Sequence, residues 1–235
     1  MIHYHGTAIT PVECAIRVLR ARHAFISYEG KRTLGIAIEF CQSFALDNGA
    51  FAVWRRGMKP DWDGYYEWVS DISRRPNFDF AIVPDTIDGT EKDNDALIKS
   101  WPLRRSIGVP VWHLHESLDK LRNLAAEWDR VALGSSGDYA TVGSTGWWLR
   151  IRQAMDVVCD EEGFPKTKLH GLRMLNPRIF GKLPLSSADS TNVAQNKGTK
   201  WGGRYEPATP GTKAVVIAER VELSPAAIKW SDKND

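Results

Sequence analysis

The chain has 235 residues, 43% of them hydrophobic, with 31 Lys and Arg against 29 Asp and Glu. That length suits one α/β barrel or two small domains. A net charge of +2 excludes a strongly basic non-specific polyanion binder but leaves room for a local basic patch. Cys14, Cys41 and Cys159 are odd in number and far apart, so neither a disulfide framework nor a Cys-rich zinc site is expected. No apolar run approaches the ~20 residues of a membrane helix, and MIHYHGT lacks the basic and apolar regions of a secretory leader. The expectation is a reduced, cytoplasmic protein with no membrane partner.

Apolar runs alternate with helical patterns, the signature of βα units around a parallel sheet. The expected strands are Ile2–His5, Ala24–Tyr28, Ser43–Leu46, Phe78–Val83, Val109–Leu114, Arg130–Leu133, Leu169–Arg173 and Leu183–Ser187. A first helix over Pro11–Arg22 has Thr10 as N-cap and Pro11 in its first turn. The connection Glu29–Gln42 contains Gly30 and Gly35 and reads as irregular. Further helices are expected over Asp61–Arg74, over Lys92–Arg105 with a break at Pro102, over Ser117–Trp128, over Thr145–Glu161 and, for a turn or two, over Asn176–Gly181. Eight strands in so short a chain predict a compact (β/α)8 TIM-like barrel over residues 1–196, smaller than the usual ~250 residues. An open doubly wound sheet is the alternative. Residues 197–235 read as a basic, Gly- and Pro-rich C-terminal extension in which AVVIAERVEL forms one strand.

Three apolar runs end in Asp beside small or turn-forming residues: SFALDNGAF, DFAIVPD and SSADST. A carboxylate in such a place sits at the C-terminal end of a buried strand, where barrel active sites are built. Asp47 is followed by Asn48 and Gly49, which allow a tight turn. Asp85 follows Pro84, and Asp189 lies among small residues that leave room for a ligand. Each Asp alone could cap a helix or turn. Three at strand ends point to a site.

The order and spacing of these segments resemble the tRNA-guanine transglycosylase superfamily, over about Ser43 to Asn192. LDNGAF resembles its early Asp-Ser-Gly-Gly-Phe motif, and VPD its second Asp-bearing strand end. ALGSSG resembles its Ala-Leu-Gly-Gly segment, HGLRML the strand before the last, and SADST the nucleophile segment. The chain has no Cys or His after His170 and so lacks the zinc subdomain of the tRNA-acting enzymes. The closer resemblance is to the compact, phage-associated DpdA-like branch, which implies DNA as the polymer and a 7-deazaguanine such as preQ0 as the base inserted. On that resemblance Asp189 is the nucleophile and Asp47 the proton-transfer residue. Asp85 binds the base edge, with Asn48, Gly134, Ser135, Ser136 and His170 around it. No cofactor is implied, and an accessory protein could help to open the duplex. Phosphates need cations. Arg55 and Arg56 are candidates, as are Lys197, Lys200 and Arg204 around Trp201.

The histidines support a competing expectation. His3 and His5 lie at i, i+2 on the first strand and face one side; His113 and His115 repeat the pattern. A barrel with His-x-His on its first strand suits a metal-dependent hydrolase, with Asp189 or Asp85 completing the shell. Hydrogen-bonded barrel lining is the plainer explanation. A third reading is a binding module that holds a base or nucleotide without turnover.

Overall fold

The computed structural model describes residues 1–201 and 206–231. Its elements alternate as the sequence pattern predicts. The first half comprises β1 (Ile2–Gly6), α1 (Val12–Leu19), β2 (His23–Ser27), α2 (Leu34–Phe40), β3 (Ser43–Asp47), α3 (Ala50–Arg55), α4 (Trp62–Ile72), β4 (Phe78–Ile82) and α5 (Glu91–Lys99). The second comprises β5 (Gly108–Val109), β6 (Val111–His113), α6 (Leu118–Glu127), β7 (Arg130–Gly134), α7 (Thr145–Val158), β8 (Lys168–Gly171), α8 (Pro177–Phe180), β9 (Ser187–Ser190), α9 (Asn192–Asn196) and α10 (Pro210–Glu222).

All pairings between these strands are parallel, in the order β5-β4-β3-β2-β1-β9-β8-β7-β6. The two ends of that order are halves of the single expected strand Val109–Leu114. Pro110 has no N–H to give to a ladder, so the strand breaks there. β5 then bonds β4 on one side and β6 bonds β7 on the other, while the Pro110 carbonyl accepts from Ala132 N at 2.9 Å. The break turns an open order into a nearly closed ring of eight strand positions.

Side chains alternate across the ring. Tyr4, Phe25, Ala45, Phe80, Ile82, Val109, Val111 and Ala132 fill its interior. Their neighbours Ala24, Ile26, Phe44, Leu46, Trp112, Leu133 and Ala188 face outward, under the helices. Arg130 closes the N-terminal end of the barrel, with its guanidinium 4.4 Å over the Phe80 ring and 3.3 Å from Asp79; Asp79 also accepts from the Tyr4 hydroxyl. The barrel is thus a packed core with one usable mouth, at the C-terminal ends of its strands.

Local chemistry explains most boundaries. Asp61, Ser117, Ser144 and Asn176 each cap the helix that follows with their side chains, and Thr90 forms a capping box with Asp93. Helix α5 stops at Lys99, before Pro102. Four expectations are corrected. The connection after β2 is a 3₁₀ turn over residues 28–33 followed by α2; Gly30 interrupts only the turn, and Gly35 lies in the first turn of the helix. Helix α1 is preceded by Pro11, and Thr10 makes no side-chain cap. The last strand is Ser187–Ser190, because Leu183 and Leu185 are core-filling residues of the approach.

The fourth correction concerns the C-terminal segment. AVVIAERVEL forms part of helix α10, not a strand. Thr209 caps it, Pro210 opens it, and Ala214, Ala218 and Val221 are buried at helical spacing. The β-branched run Val215-Val216-Ile217 suggests a strand, but the period of burial is the helix's. α10 packs on α1, α9 and β1 and so completes the outer helical layer.

Candidate active site at the barrel mouth

The alternation that fills the barrel also selects what reaches its mouth. Two residues beyond Phe25, Ala45, Val111 and Ala132, the inward positions are Ser27, Asp47, His113 and Gly134. Asp189 is likewise inward, because its neighbour Ala188 packs outward. Asp85 reaches the same place from the segment after β4.

The three carboxylates lie close enough to act on one another. Burial, aided by the charges of Asp189 and Asp85, pushes the Asp47 carboxyl up to about 7, against hydrogen bonds from Ser27 and the Gly49 N–H. The turn that places it needs glycine. Gly49 has φ of +78°, and a Cβ there would meet Glu29 Cγ at 3.1 Å.

Asp85 is buried and held from two sides. Its Oδ1 accepts from Asn48 Nδ2 at 2.7 Å, and its Oδ2 lies 2.8 Å from His113 Nε2. Asn48 also donates to the Val83 carbonyl at 3.0 Å and accepts from Ala50 N at 2.8 Å. Both its amide hydrogens and its carbonyl are therefore spent on fixing the β3–α3 turn against Asp85. Beneath His113, Glu116 accepts from the His113 N–H at 2.9 Å, from Asn94 at 3.0 Å and from Lys120 at 2.7 Å; Asn94 in turn accepts from Thr86 N at 2.7 Å, so this buried network ties the loop after β4 to the loop after β6. Gly134 makes room for the His113 ring, since a Cβ there would lie 3.1 Å from His113 Nδ1.

Asp189 accepts from the Arg173 backbone N–H at 2.9 Å. His170 Nε2 faces the same oxygen at 3.5 Å, too far for a good bond, and that nitrogen has no hydrogen-bond partner among the described residues. His170 Nδ1 is 2.8 Å from Ser187 Oγ, and burial lowers its pKa, which favours the neutral ring. Its ring lies against Tyr4, Phe25 and Phe80, so it belongs to the barrel interior below the carboxylates.

Arg173 is the residue that sequence reading missed. It adopts φ of +60°, which is uncommon for a side chain of its size. Its guanidinium lies 3.5 Å over the Phe51 ring. Burial pulls its pKa down, while Asp189 and Asp47 oppose that pull. A cation therefore stands among the carboxylates. HGLRML gives no hint of this, because the signal is the left-handed backbone together with a cross-barrel contact.

The other sequence candidates divide. Ser136 is buried, with its hydroxyl 2.7 Å from His115 Nδ1. Ser135 turns its hydroxyl to α7, where it accepts from Trp147 Nε1 at 2.9 Å. Arg55 and Arg56 are exposed at the rim, and Arg56 pairs with Glu29 at 2.7 Å. Lys197 donates to the carbonyl of Thr10 in the β1–α1 loop, so the segment after α9 is tied to the mouth side. Lys200 is exposed there, whereas Trp201 lies under Arg220, 4.7 Å from its ring, and under Lys213 at 5.5 Å. Arg204 lies outside the described residues.

The four-histidine metal site is not assembled. His3 and His5 flank the inward Tyr4 and so face outward, where their rings meet Glu222 of α10 at 2.9 and 2.8 Å. His113 and His115 stack at the mouth, 5.6 Å between rings. Among the described residues, no group of three or more His, Cys, Asp or Glu is placed to hold a metal ion.

No family model and no curated protein matches the chain. Solved structures do. A mutant tryptophan synthase alpha-subunit from the hyperthermophile Pyrococcus furiosus is 10% identical, with 95% of this chain and 96% of that one covered at a TM-score of 0.53. A structure from Aquifex aeolicus VF5 is 11% identical, with 95% and 91% covered at 0.52. The fold is that of a TIM barrel. At such low identity the likeness carries the architecture alone. In a TIM barrel, the end that bears Asp47, Asp85 and Asp189 is where active sites lie.

Proposed function

We propose that this TIM barrel is a base-exchange transglycosylase, replacing guanine in DNA with a 7-deazaguanine of the preQ0 type. The observation that carries the reading is the trio of carboxylates at one mouth, with Asp47 titrating at about 7 while its neighbours fix the electrostatics. An acid that still holds a proton near neutral pH, beside a second carboxylate, suits double displacement at an anomeric carbon.

An Asp189 oxygen attacks C1′ of the flipped nucleotide as the C1′–N9 bond breaks. The departing guanine takes the proton carried by Asp47, leaving a glycosyl ester on Asp189 and an ionised Asp47. The incoming base gives its N9 proton to Asp47, its N9 attacks C1′, and the Asp189 carboxylate is released. No redox step and no water enter this balance.

Asp85 has one acceptor site on each oxygen already used by Asn48 and His113. The remaining lone pairs can take the N1–H and exocyclic amine of a guanine-like edge, and the two existing bonds hold the carboxylate in one orientation. Arg173 on Phe51 supplies a fixed positive charge beside the nucleophile, suited to a flanking phosphate.

The test is intact-mass analysis after incubation with guanine-containing single-stranded DNA. A protein–DNA adduct that is lost in Asp189→Ala and discharged by added preQ0 supports the reading. An adduct that persists in Asp189→Ala, or no adduct together with no guanine release, overturns it.

A further inference from the structure

The turn between α3 and α4 has a feature that its own fold does not explain. Helix α3 ends in a Schellman motif: Gly57, at φ of +64°, donates to Trp54 O at 2.9 Å, and Met58 donates to Val53 O at 3.1 Å. In this motif an apolar residue after the glycine usually packs back against the last helical turn. Here Val53 is buried, but Met58 stays 57% exposed and Trp54 44% exposed. A well-bonded turn therefore carries two large apolar side chains into solvent. The turn itself is basic: Arg55, Arg56 and Lys59 are exposed and no acidic residue occurs from Asn48 to Pro60, although Arg56 is paired with Glu29 at 2.7 Å.

This turn stands beside the candidate active site. The Trp54 ring lies 5.7 Å from Phe51, Phe51 lies under the Arg173 guanidinium, and Arg173 donates its N–H to Asp189. Aromatic and cationic groups thus lead from the turn to the nucleophile.

We propose that this turn is a wedge for duplex DNA: Met58 and Trp54 enter the base stack and occupy the space of the extruded nucleotide. The inference rests on the proposed DNA base exchange and adds to it a duplex substrate and the device that opens it. A base in a duplex must leave the stack to reach a pocket, at a cost of a few kcal/mol. Apolar side chains inserted between base steps offset that cost. Arg55 and Lys59 would hold the phosphates on either side, as cations beside a bent backbone do. A rigid turn suits the task better than a mobile one, because less order is lost on insertion.

The experiment uses a duplex with 2-aminopurine immediately beside the target guanine, and the matching single strand. Wild-type protein should brighten the duplex probe several-fold on binding, as unstacking requires. Trp54→Ala/Met58→Ala should lower that response by about 5-fold or more while changing single-strand affinity less than about 2-fold. Leu149→Ala, an exposed apolar change on α7, should behave as wild type. The wedge is overturned if the double variant opens the duplex normally, if it loses single-strand and duplex affinity alike, or if wild type brightens no duplex. Adduct formation on single strands, measured on the same preparations, is independent of the wedge. An adduct without duplex opening overturns the wedge alone, and opening without an adduct overturns the chemistry alone.

Discussion

His3 and His5 share a sequence pattern with His113 and His115, yet the two pairs end in different parts of the barrel. On β1 the inward position belongs to Tyr4, so both histidines face out and share the Glu222 carboxylate of α10. On β6 the inward position is His113, which holds Asp85, with His115 stacked beside it on Ser136. The difference is one of parity. A shift of one residue in a strand exchanges its faces, and a His-x-His pattern does not reveal which face is the core. One pair braces the wall of the barrel; the other helps to build its mouth.

That division of labour can be broken most severely at the mouth itself. Asp189→Ala should abolish base exchange, a loss on the order of 10⁴-fold or more in kcat, with the thermal midpoint little changed. A comparable loss in Glu222→Gln would erase the distinction between wall and mouth.

Asp47→Asn should cost about 10²–10⁴-fold, and it sharpens the contrast through pH. The folded carboxyl titrates at about 7, above its ordinary 3.8. The native state therefore holds a proton that the unfolded chain has released, and stability falls as pH rises from about 3.8 through 7. Calorimetry should find Asp47→Asn gaining stability over wild type at about pH 8 but little at about pH 4. The rate of guanine release should fall above about pH 7 in wild type, since in the proposed exchange the acid form of Asp47 protonates the leaving base.

His113→Ala removes one of the two bonds that orient Asp85. We expect kcat/KM for base exchange to drop about 10²-fold from misplacement of the carboxylate. His5→Ala should show the reverse pattern: a loss of about 1–3 kcal/mol in a denaturant melt, since it removes one of the two histidine partners of a partly buried carboxylate, and unaltered kcat/KM. If both variants lose activity equally, the two pairs are not functionally separate.

The smallest effect concerns acid. Burial alone would raise the Glu222 carboxyl, but hydrogen bonds from His3 and His5, with the charges on those rings, outweigh it and hold the group down at about 2, below its ordinary 4.5. Its contribution to stability is complete above about 4.5 and is lost as pH falls toward 2. An acid titration followed by circular dichroism should lose that component in Glu222→Gln.

Much of this site is legible in the chain, because the Asp residues end apolar runs and the glycine at position 49 is forced by its turn. Asp47 and Asp85 sit where their runs stop. The sequence pattern puts Asp189 just beyond a strand, yet it lies within β9, because Leu183 and Leu185 fill the core without joining the ladder. What composition and spacing leave hidden is set by partners far along the chain. The positive φ of Arg173 depends on its place beside Asp189 and over Phe51. The outward aim of His3 and His5 depends on Tyr4 as barrel filler. Helix α10 looks like a strand until its buried residues are seen to recur at helical spacing.

The clasp between β1 and α10 also bears on how the chain comes into being. His3 and Glu222 are 219 residues apart, and His5 and Glu222 are 217 apart. At about 5–20 residues per second of synthesis, the first strand waits roughly 10–40 s for the helix that covers it. Its ladder partner β9 is made almost as late. One edge of β1 stands open until β9 is made, and its outer face until α10 follows, so the nascent barrel is a split cylinder whose seam closes along β9 and is covered last by α10.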